Sequence, residues 1–369
     1  MKYSALSGAA VFASVFPQSA SGQTLAEILS QENSTLSTLT SLINDLPALG
    51  ETFSSQSNLT ILAPSNDAFA MLLKDEKAAA LVMSDPAFVA NLLSYHILNG
   101  SLLANDFSET PAFAKTLLTD GALTNVTGGQ VVAAKTANNA VSISSAFGAH
   151  CQVIRADIEY DGGVVHVVDG VLEIPKDLAE TASAAGLSAV AEALTKADLV
   201  APLTWAKDVT IFAPSNEAFE AVASATKNMS VESLKKVLQY HVLPNVVAYS
   251  SSFEDGAVKT FEGTEINVSV KDGNVYVNGA KVITPDVPLS NGVLHVIDSV
   301  LNPDKQDDAA SSTASAPSAT WTGADSTASP SGSATPGSRV SSSAWKGMRQ
   351  MSAAIAMTVM SGVAAFFMV

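Results

Sequence analysis

Residues 60–69 read TILAPSNDAF, and residues 210–219 read TIFAPSNEAF. In both segments an apolar run meets a proline, which has no N–H for a sheet ladder. A serine and an asparagine follow, and both residue types favour the N-cap of a helix. Each segment therefore predicts a short buried strand, over 59–63 and 209–213, that leads directly into a helix.

Two further blocks recur in the same order. Tyr95-His96 returns as Tyr240-His241, and GVVHVVD at 163–169 returns as GVLHVID at 292–298. Three ordered matches, at a spacing far longer than a solenoid repeat, indicate two copies of a whole domain. The motif positions expected to maintain the fold are Thr60, Pro64, Asn66, Phe69, His166 and Asp169, with their equivalents Thr210, Pro214, Asn216, Phe219, His295 and Asp298.

The remaining patterns place helices before strands in each copy. Apolar residues at helical spacing mark four segments: 25–43, 88–98, 178–194 and 231–243. Two later stretches, 131–172 and 266–301, follow a β pattern, and Asp272-Gly273 is a hairpin signal. This order predicts the α+β class.

The first copy is longer than the second. Part of the excess lies between Phe69 and Tyr95, and more lies around 121–149, which is rich in Gly, Asn, Ser and Thr. That composition predicts a loop. Because loops on a rigid scaffold often carry function, an activity particular to the first copy could reside there.

The three blocks resemble the motifs of the fasciclin (FAS1) domain family, with the Tyr-His pairs similar to its central motif. The resemblance covers 24–175 and 177–303, which are the two expected domains. It implies a wedge of β-strands packed with several α-helices in each domain. It also implies a role in cell–cell or cell–matrix adhesion, commonly on GPI-anchored proteins. The domain spacing, sugar acceptors and anchor resemble those of fungal and plant members.

Both ends carry targeting patterns. Residues 1–22 combine Lys2, a weakly apolar stretch and small residues, which is typical of a secretory signal peptide. Residues 304–343 are rich in Ser, Thr and Pro and predict an O-glycosylated stalk. Residues 344–369 predict a GPI-attachment signal that is removed, with attachment at Ser341 or Ser342. A single-span tail anchor is the competing interpretation.

N-x-Ser/Thr acceptor sequences become credible N-glycosylation sites once secretion is expected. They begin at Asn33, Asn58, Asn99, Asn125, Asn228 and Asn267.

The formal net charge of -16 and the pI of about 4.6 exclude binding to nucleic acid phosphates through a basic surface. The single cysteine, Cys151, cannot form an intrachain disulfide, and a small buried apolar role is expected for it. An intermolecular disulfide or a reactive thiol is the alternative.

The candidate chemical groups favour a structural role. In a strand, His166 and Asp169, or His295 and Asp298, point to opposite faces, so neither pair is expected to bind a metal. For the Tyr-His pairs two interpretations stay open, support of the core and direct contact with a partner. Neither serine at the start of a motif helix lies in a G-x-S-x-G elbow, and no cofactor motif is present in the sequence.

The sequence therefore predicts a non-catalytic, secreted surface protein that binds a cell-surface, matrix or cell-wall protein or glycan and is held to the outer leaflet by a lipid anchor. A small-ligand or glycan-binding module is the first alternative, and a hydrolase is the second.

Overall fold

The computed structural model describes residues 22–137, 140–226 and 229–304. Within these ranges the chain forms twelve α-helices and fourteen β-strands. The first copy contains α1 (Leu25–Gln31), α2 (Asn33–Asn44), α3 (Pro47–Ser55), β1 (Leu59–Pro64), α4 (Asn66–Leu72), α5 (Glu76–Ser84), α6 (Pro86–Tyr95), β2 (Ile97–Asn99), β3 (Ala112–Lys115), β4 (Val131–Ala137), β5 (Ala140–Ala146), β6 (Ala149–Tyr160) and β7 (Gly163–Val168). The second contains α7 (Leu178–Ala184), α8 (Ser188–Lys196), α9 (Val200–Trp205), β8 (Val209–Pro214), α10 (Asn216–Ala221), α11 (Ala223–Thr226), α12 (Val231–Tyr240), β9 (Val242–Leu243), β10 (Gly256–Lys259), β11 (Glu265–Lys271), β12 (Asn274–Val277), β13 (Ala280–Leu289) and β14 (Gly292–Ile297).

Each copy builds one seven-stranded sheet from its described residues. The strand orders are β2-β1-β7-β6-β5-β4-β3 and β10-β11-β12-β13-β14-β8-β9. At the centre, β1 pairs in parallel with β7, and β8 pairs in parallel with β14. These strands are apolar runs because both of their faces are covered. The first and last motifs of each copy therefore lie side by side, and the predicted α+β class is confirmed.

Glycine is required where β7 and β14 begin. A Cβ on Gly163 would lie 1.9 Å from the carbonyl oxygen of Leu59, and one on Gly292 would lie 1.8 Å from that of Val209. The parallel strands thus approach too closely at this end for any side chain.

Side chains on β1 alternate between two apolar clusters. Leu59, Ile61 and Ala63 pack with residues of the N-terminal helices. Leu62 packs on the opposite side, with residues of β4 and β5 such as Ile143. The second copy divides its core in the same way. The expected arrangement of strands packed with helices follows from this two-sided burial.

Several sequence expectations need correction. The helical pattern at 178–194 is two helices, α7 and α8, which residues 185–187 separate. The first helical pattern, 25–43, is also two helices, with a break at Glu32, whose backbone is not helical (φ -89°, ψ 14°). The break allows apolar residues of both α1 and α2 to reach the same core cluster.

The helix predicted over 88–98 ends at Tyr95, and the one predicted over 231–243 ends at Tyr240. The apolar residues that follow are strands, with Ile97 opposite Ile61 and Val242 opposite Ile211. Pairing with the edge of β1 or β8 overrides the helical spacing.

The loop predicted over 121–149 is mostly a β-hairpin, formed by β4 and β5. Val141 and Ile143 alternate with the half-buried Ser142 and Ser144 along β5, so these two small polar residues occupy the outer face. Among the described residues of this stretch, those without strands are 121–130 and the turn at 147–148.

Candidate functional site

The Tyr-His motif ends the helix before the β2 or β9 edge strand, and its histidine is buried in both copies. Nδ1 of His96 lies 2.7 Å from the carbonyl oxygen of Leu92, and Nε2 accepts a hydrogen bond from the N–H of Leu172 (2.9 Å). His241 repeats this arrangement with Val237 (2.8 Å) and Leu301 (2.9 Å). Burial lowers the pKa of each histidine to about 4. The neutral ring joins the end of the helix to the segment that follows the last strand.

The histidine of the last motif is also bonded at both ring nitrogens. Nδ1 of His166 accepts from the N–H of Asp157 (3.1 Å), and Nε2 bonds the carbonyl of Leu102 (2.8 Å). Nδ1 of His295 accepts from the N–H of Asp286 (3.1 Å), and its Nε2 bonds the carbonyl of Ala248 (2.9 Å). Burial lowers the pKa of His295, although the nearby carboxylate of Asp286 opposes that shift.

The tyrosines have buried rings but different hydroxyl partners. The hydroxyl of Tyr95 lies 2.9 Å from the carbonyl oxygen of Val131 and 3.0 Å from that of Ser145. The hydroxyl of Tyr240 donates to the carbonyl of Glu265 (3.1 Å) and accepts from Nδ2 of Asn278 (2.7 Å). Burial raises the pKa of Tyr95 well above its usual value.

The Tyr-His pairs have almost no surface in this conformation. Tyr95 and Tyr240 are 0% exposed, His96 is 2% exposed and His241 is 3% exposed. Contact between a partner and these side chains would require them to become exposed first.

The threonine of the first motif connects β1 or β8 to the loop after the edge strand. The hydroxyl of Thr60 donates to the carbonyl of Gly100 (2.7 Å) and accepts from the N–H of Leu102 (2.8 Å). Thr210 makes the equivalent bonds to Val246 (2.8 Å) and Ala248 (2.9 Å). Pro64 and Pro214 are the last residues of their strands.

Behind the proline, the serine is the cap and the asparagine is a cross-link. The hydroxyl of Ser65 accepts from the N–H of Ala68 at the start of α4. Oδ1 of Asn66 accepts from the N–H of Thr38 (2.9 Å), and its Nδ2 donates to the carbonyl of Ser34 (3.1 Å), which ties α4 to α2.

The second copy repeats this cross-link. Asn216 bonds the N–H of Ala189 (3.1 Å) and the carbonyl of Gly186 (2.7 Å). Phe69 is buried in the first core, and Phe219 packs against the second core while partly exposed.

Each motif aspartate accepts one hydrogen bond from a neighbouring strand. Oδ1 of Asp169 accepts from the N–H of Gln152 (2.6 Å), and Oδ1 of Asp298 accepts from that of Lys281 (2.9 Å). Neither carboxylate is the partner of its motif histidine. The histidine instead accepts a hydrogen bond from the backbone N–H of Asp157 or Asp286, a partner that the sequence reasoning missed.

Asp157 and Asp286 hold positive φ angles of 58° and 61° at irregularities of β6 and β13. The signal that could have located them is the repeated Val-Ile-x-x-Asp pattern at 153–157 and 282–286.

The motif network leaves its four histidines with both ring nitrogens engaged by backbone groups. Cys151 is also buried, and burial raises the pKa of its thiol to about 12. Within the described ranges, no group of three or more His, Cys, Asp or Glu side chains has the geometry to hold a metal ion. The motif network is therefore suited to hold the fold together, and the repeated residues present no assembled reactive group.

The predicted acceptor asparagines lie in different environments. Four are exposed: Asn33, Asn58, Asn99 and Asn267. Asn125 is half-buried. Asn228 and the predicted anchor residues Ser341 and Ser342 lie outside the described residues, as do most of the predicted signal peptide, the stalk and the tail. No single helix of the described residues is long and apolar enough to cross a membrane. The helices α5 and α6, which are bent by 108° relative to each other, reach that length and apolar composition only when they are taken together.

Comparison with known sequences explains why these contacts occur twice. A profile of the Fasciclin domain matches residues 34–175 and 185–303. The chain belongs to the fasciclin domain family. The two tandem FAS1 domains expected from the resemblance are therefore confirmed, and the duplicated network is the internal framework of each domain.

Two fungal relatives are similar over most of the chain. It is 31% identical to a fasciclin-like arabinogalactan protein of Arthroderma benhamiae over 73% of this chain and 64% of that protein. It is 35% identical to the fasciclin-like arabinogalactan protein elcF of Phaeosphaeria nodorum over 80% of this chain and 93% of that protein. The chain thus spans slightly under two thirds of the first relative and nearly all of the second.

A solved FAS1 domain pair from the insect cell adhesion molecule fasciclin I matches 74% of this chain and 99% of its own, at 20% identity and a TM-score of 0.37.

Proposed function

We propose that this protein is a non-catalytic adhesion or wall-interaction protein of the cell surface, which binds its partner through tandem fasciclin domains. The observation that carries the proposal is that the polar side chains of the repeated motifs form their hydrogen bonds within their own domain. Both ring nitrogens of all four motif histidines bond to backbone groups, so these residues have no free lone pair for a metal or for general base catalysis. What remains for function is the outer surface.

The relatives support the same class of function. Two are fungal proteins named fasciclin-like arabinogalactan proteins. The chain is acidic and carries several N-glycosylation acceptor sequences. The partner class that fits such a chain is a cell-surface, matrix or wall protein or glycan, rather than a nucleic acid.

The proposal includes the targeting inferred from the ends of the sequence. Residues 1–22 direct secretion, and the stalk lies within 304–343. A GPI anchor attached at Ser341 or Ser342 replaces every residue after that serine, including the signal at 344–369. Many tethered copies would convert weak single contacts into avidity.

Tethering is tested by treating intact expressing cells with phosphatidylinositol-specific phospholipase C. We expect the protein to be released in a form that an antibody to the folded domains recognises. A variant in which residues 344–369 are replaced by a known transmembrane span is the matched control and should stay on the cells. Retention of the natural protein at the surface would contradict the lipid anchor, and retention inside the cell would contradict the surface function.

Adhesion is tested separately with a chain that ends at Ser338. This form should be secreted and folded but should no longer support attachment of the cells that make it. Unchanged attachment would show that tethering is not needed. Attachment absent even with the full-length anchored protein would contradict the adhesion proposal itself.

Within this proposal the Tyr-His pairs contribute indirectly. Tyr95, His96, Tyr240 and His241 fix the helix ends and edge strands that shape the surface. Glycans on the exposed acceptors Asn33, Asn58, Asn99 and Asn267 would then mark the sides that a protein partner does not cover.

A groove in the first domain favours a second candidate, binding of a small sugar. Its volume is about 300 Å³. Two aromatic rings, Phe107 and Phe113, line it together with Asp106 and Lys115. Apolar walls with a few polar groups are typical of small-ligand sites.

Sugar binding would be detected by titrating simple wall sugars into the protein and following nuclear magnetic resonance shifts. Lys115→Ala should abolish them, whereas Lys135→Ala, on the exposed side of β4, should not. Shifts that survive Lys115→Ala would contradict use of this groove.

A further inference from the structure

The segment between β3 and β4 has no counterpart of equal length in the second domain. We call residues 119–130 the junction loop. In the second domain only residues 260–264 separate β10 from β11. Both domains lie within one compact unit, and the junction loop of the first contacts the second.

Asn125 makes three hydrogen bonds across this junction. Its backbone N–H donates to the carbonyl of Ser290 (2.7 Å), and its carbonyl accepts from the N–H of Asp208 (3.4 Å). Its side-chain Nδ2 donates to the carbonyl of Trp205 (3.0 Å). Trp205 is the last residue of α9, where carbonyl groups have no partner within the helix. The side chain of Asn125 therefore caps a helix of the other domain.

Thr127 strengthens the same contact. Its N–H donates to Oδ1 of Asp208 (2.6 Å), and its hydroxyl donates to the second oxygen, Oδ2, of the same carboxylate. Both oxygens of Asp208 are thus held by one residue of the junction loop. Hydrogen bonds to a charged acceptor are stronger than those between neutral groups.

Two further contacts flank the pair. Nε2 of Gln130, a fully buried residue, donates to the carbonyl of Leu289 (2.9 Å). The ring of Phe113 stacks on Tyr249, with centroids 3.9 Å apart and planes 15° from parallel. The junction therefore combines an aromatic contact with directed polar bonds.

Asn125 and Thr127 are also the two defining residues of the acceptor sequence Asn125-Val126-Thr127. N-glycosylation replaces one of the two hydrogens on Nδ2 with a bulky sugar. At Asn125 that nitrogen lies 3.0 Å from the second domain, and the residue is half-buried. Asn58, by contrast, is exposed and uses only its Oδ1, which accepts from the N–H of Ser101 within the same domain.

We propose that Asn125 carries no glycan in the docked protein, and that a glycan at Asn125 and docking of the two domains are alternative states. The side chains that make this sequence an acceptor are the ones that hold the second domain. Exposed acceptors such as Asn58 and Asn267 have no such conflict. The sequence rule for glycosylation thus overstates the number of modified sites, for a structural reason.

The test uses the full chain secreted from a eukaryotic host that performs N-glycosylation. Peptide mass spectrometry after enzymatic deglycosylation in ¹⁸O water gives the occupancy of each acceptor. Hydrogen exchange of the Thr127 and Asp208 amides reports docking, because both donate across the junction. We expect Asn58 and Asn267 to be largely occupied, Asn125 to be several-fold less occupied, and both amides to be protected.

Two outcomes would overturn the proposal in the wild-type protein. One is an occupied Asn125 with both amides still protected, because sugar and docking would then coexist. The other is an unoccupied Asn125 with both amides exchanging freely, because no docked junction would exist to explain it. An occupied Asn125 with freely exchanging amides would support the proposal, since it is the alternative state.

Asp208→Gly provides the matched perturbation, because it leaves the acceptor sequence intact, removes both bonds to Thr127 and tolerates the positive φ of 52° at this position. We expect protection of the Thr127 amide to fall and occupancy of Asn125 to rise. Glu220→Ala, an exposed carboxylate of α10, is the control and should change neither. Lost protection with unchanged low occupancy would show that docking is not what keeps Asn125 unmodified, and would overturn the proposal.

Discussion

The two domains share a framework and differ in what they add to it. Both place a histidine at the end of the motif helix, a second histidine on the last strand and a threonine on the central strand, each with equivalent backbone partners. Between its first two motifs the first domain has the nine-residue α5, where the second domain has the four-residue α11, and it adds the junction loop between β3 and β4. The repeated residues thus hold the fold, and the unrepeated segments change its surface.

The most severe way to break both domains is to add a methyl group where the central parallel strands meet. Gly163→Ala and Gly292→Ala would each place a Cβ under 2 Å from a backbone carbonyl oxygen. We expect a loss of about 3 kcal/mol or more in the unfolding free energy of the mutated domain. Hydrogen exchange resolved by domain would measure it.

Gly50→Ala is the control for that experiment, because a Cβ there meets nothing within 4 Å and alanine is favoured in a helix. Equal stability of Gly163→Ala and wild type would show that the strands can separate without loss.

Acid should destabilise both domains alike through the Tyr-His histidines. The pKa of His96 and of His241 is lowered to about 4 in the fold, below the value of about 6.5 for an unfolded chain. Between these two pH values the unfolded state binds more protons than the folded state. The unfolding free energy is therefore highest above about pH 6.5 and falls as the pH approaches 4. The loss is about 3 kcal/mol per histidine.

Urea unfolding at about pH 7 and about pH 4.5 would measure the slope of the unfolding free energy against pH. His96→Gln should flatten it for the first domain only, while the same substitution at the exposed His150 should not. A slope that is unchanged in His96→Gln would assign the acid sensitivity to other groups.

The tyrosines should reveal a difference between the copies. The hydroxyl of Tyr95 bonds two buried carbonyls, so Tyr95→Phe should cost about 1–3 kcal/mol. The partners of Tyr240 are only partly buried, and water can replace its hydroxyl there. Tyr240→Phe should therefore cost less, about 1 kcal/mol or below. Equal losses in denaturant titrations would mean that the two hydroxyls are equally inaccessible to water.

The smallest effect is expected at the helix caps. Ser65→Ala and Ser215→Ala each remove one side-chain acceptor for a helix N–H, a loss of about 1 kcal/mol. Ser183→Ala, within α7, is the comparison and should change the melting temperature little. A larger loss at only one of the two caps would break the equivalence of the copies at this position.

Much of the framework was predictable because its signals are local. A proline after an apolar run ends a strand, a serine caps a helix, and alternating valines around Asp272-Gly273 make a hairpin, which the structure places between β11 and β12. The errors arose where pairing overrode local spacing, as at Ile97 and Val242, which continue a helical pattern but complete a sheet edge.

The candidate site was only partly predictable for a related reason. The sequence identified His166 and His295 and excluded pairing with the aspartates three residues later. It could not identify Asp157 and Asp286 as the partners, because those residues reach the histidines from an adjacent strand through an irregular register.

The sequence alone determined that the chain contains two copies of one α+β domain, since order, spacing and turn chemistry are properties of the chain itself. It also determined the acidic charge and the positions of the acceptor sequences. Only the tertiary structure decided that the Tyr-His pairs are buried and that Asn125 faces the second domain. Docking depends on residues eighty or more positions away along the chain, Trp205 and Asp208, and the buried hydroxyl of Tyr95 depends on partners 36 and 50 positions away. No local pattern encodes that proximity.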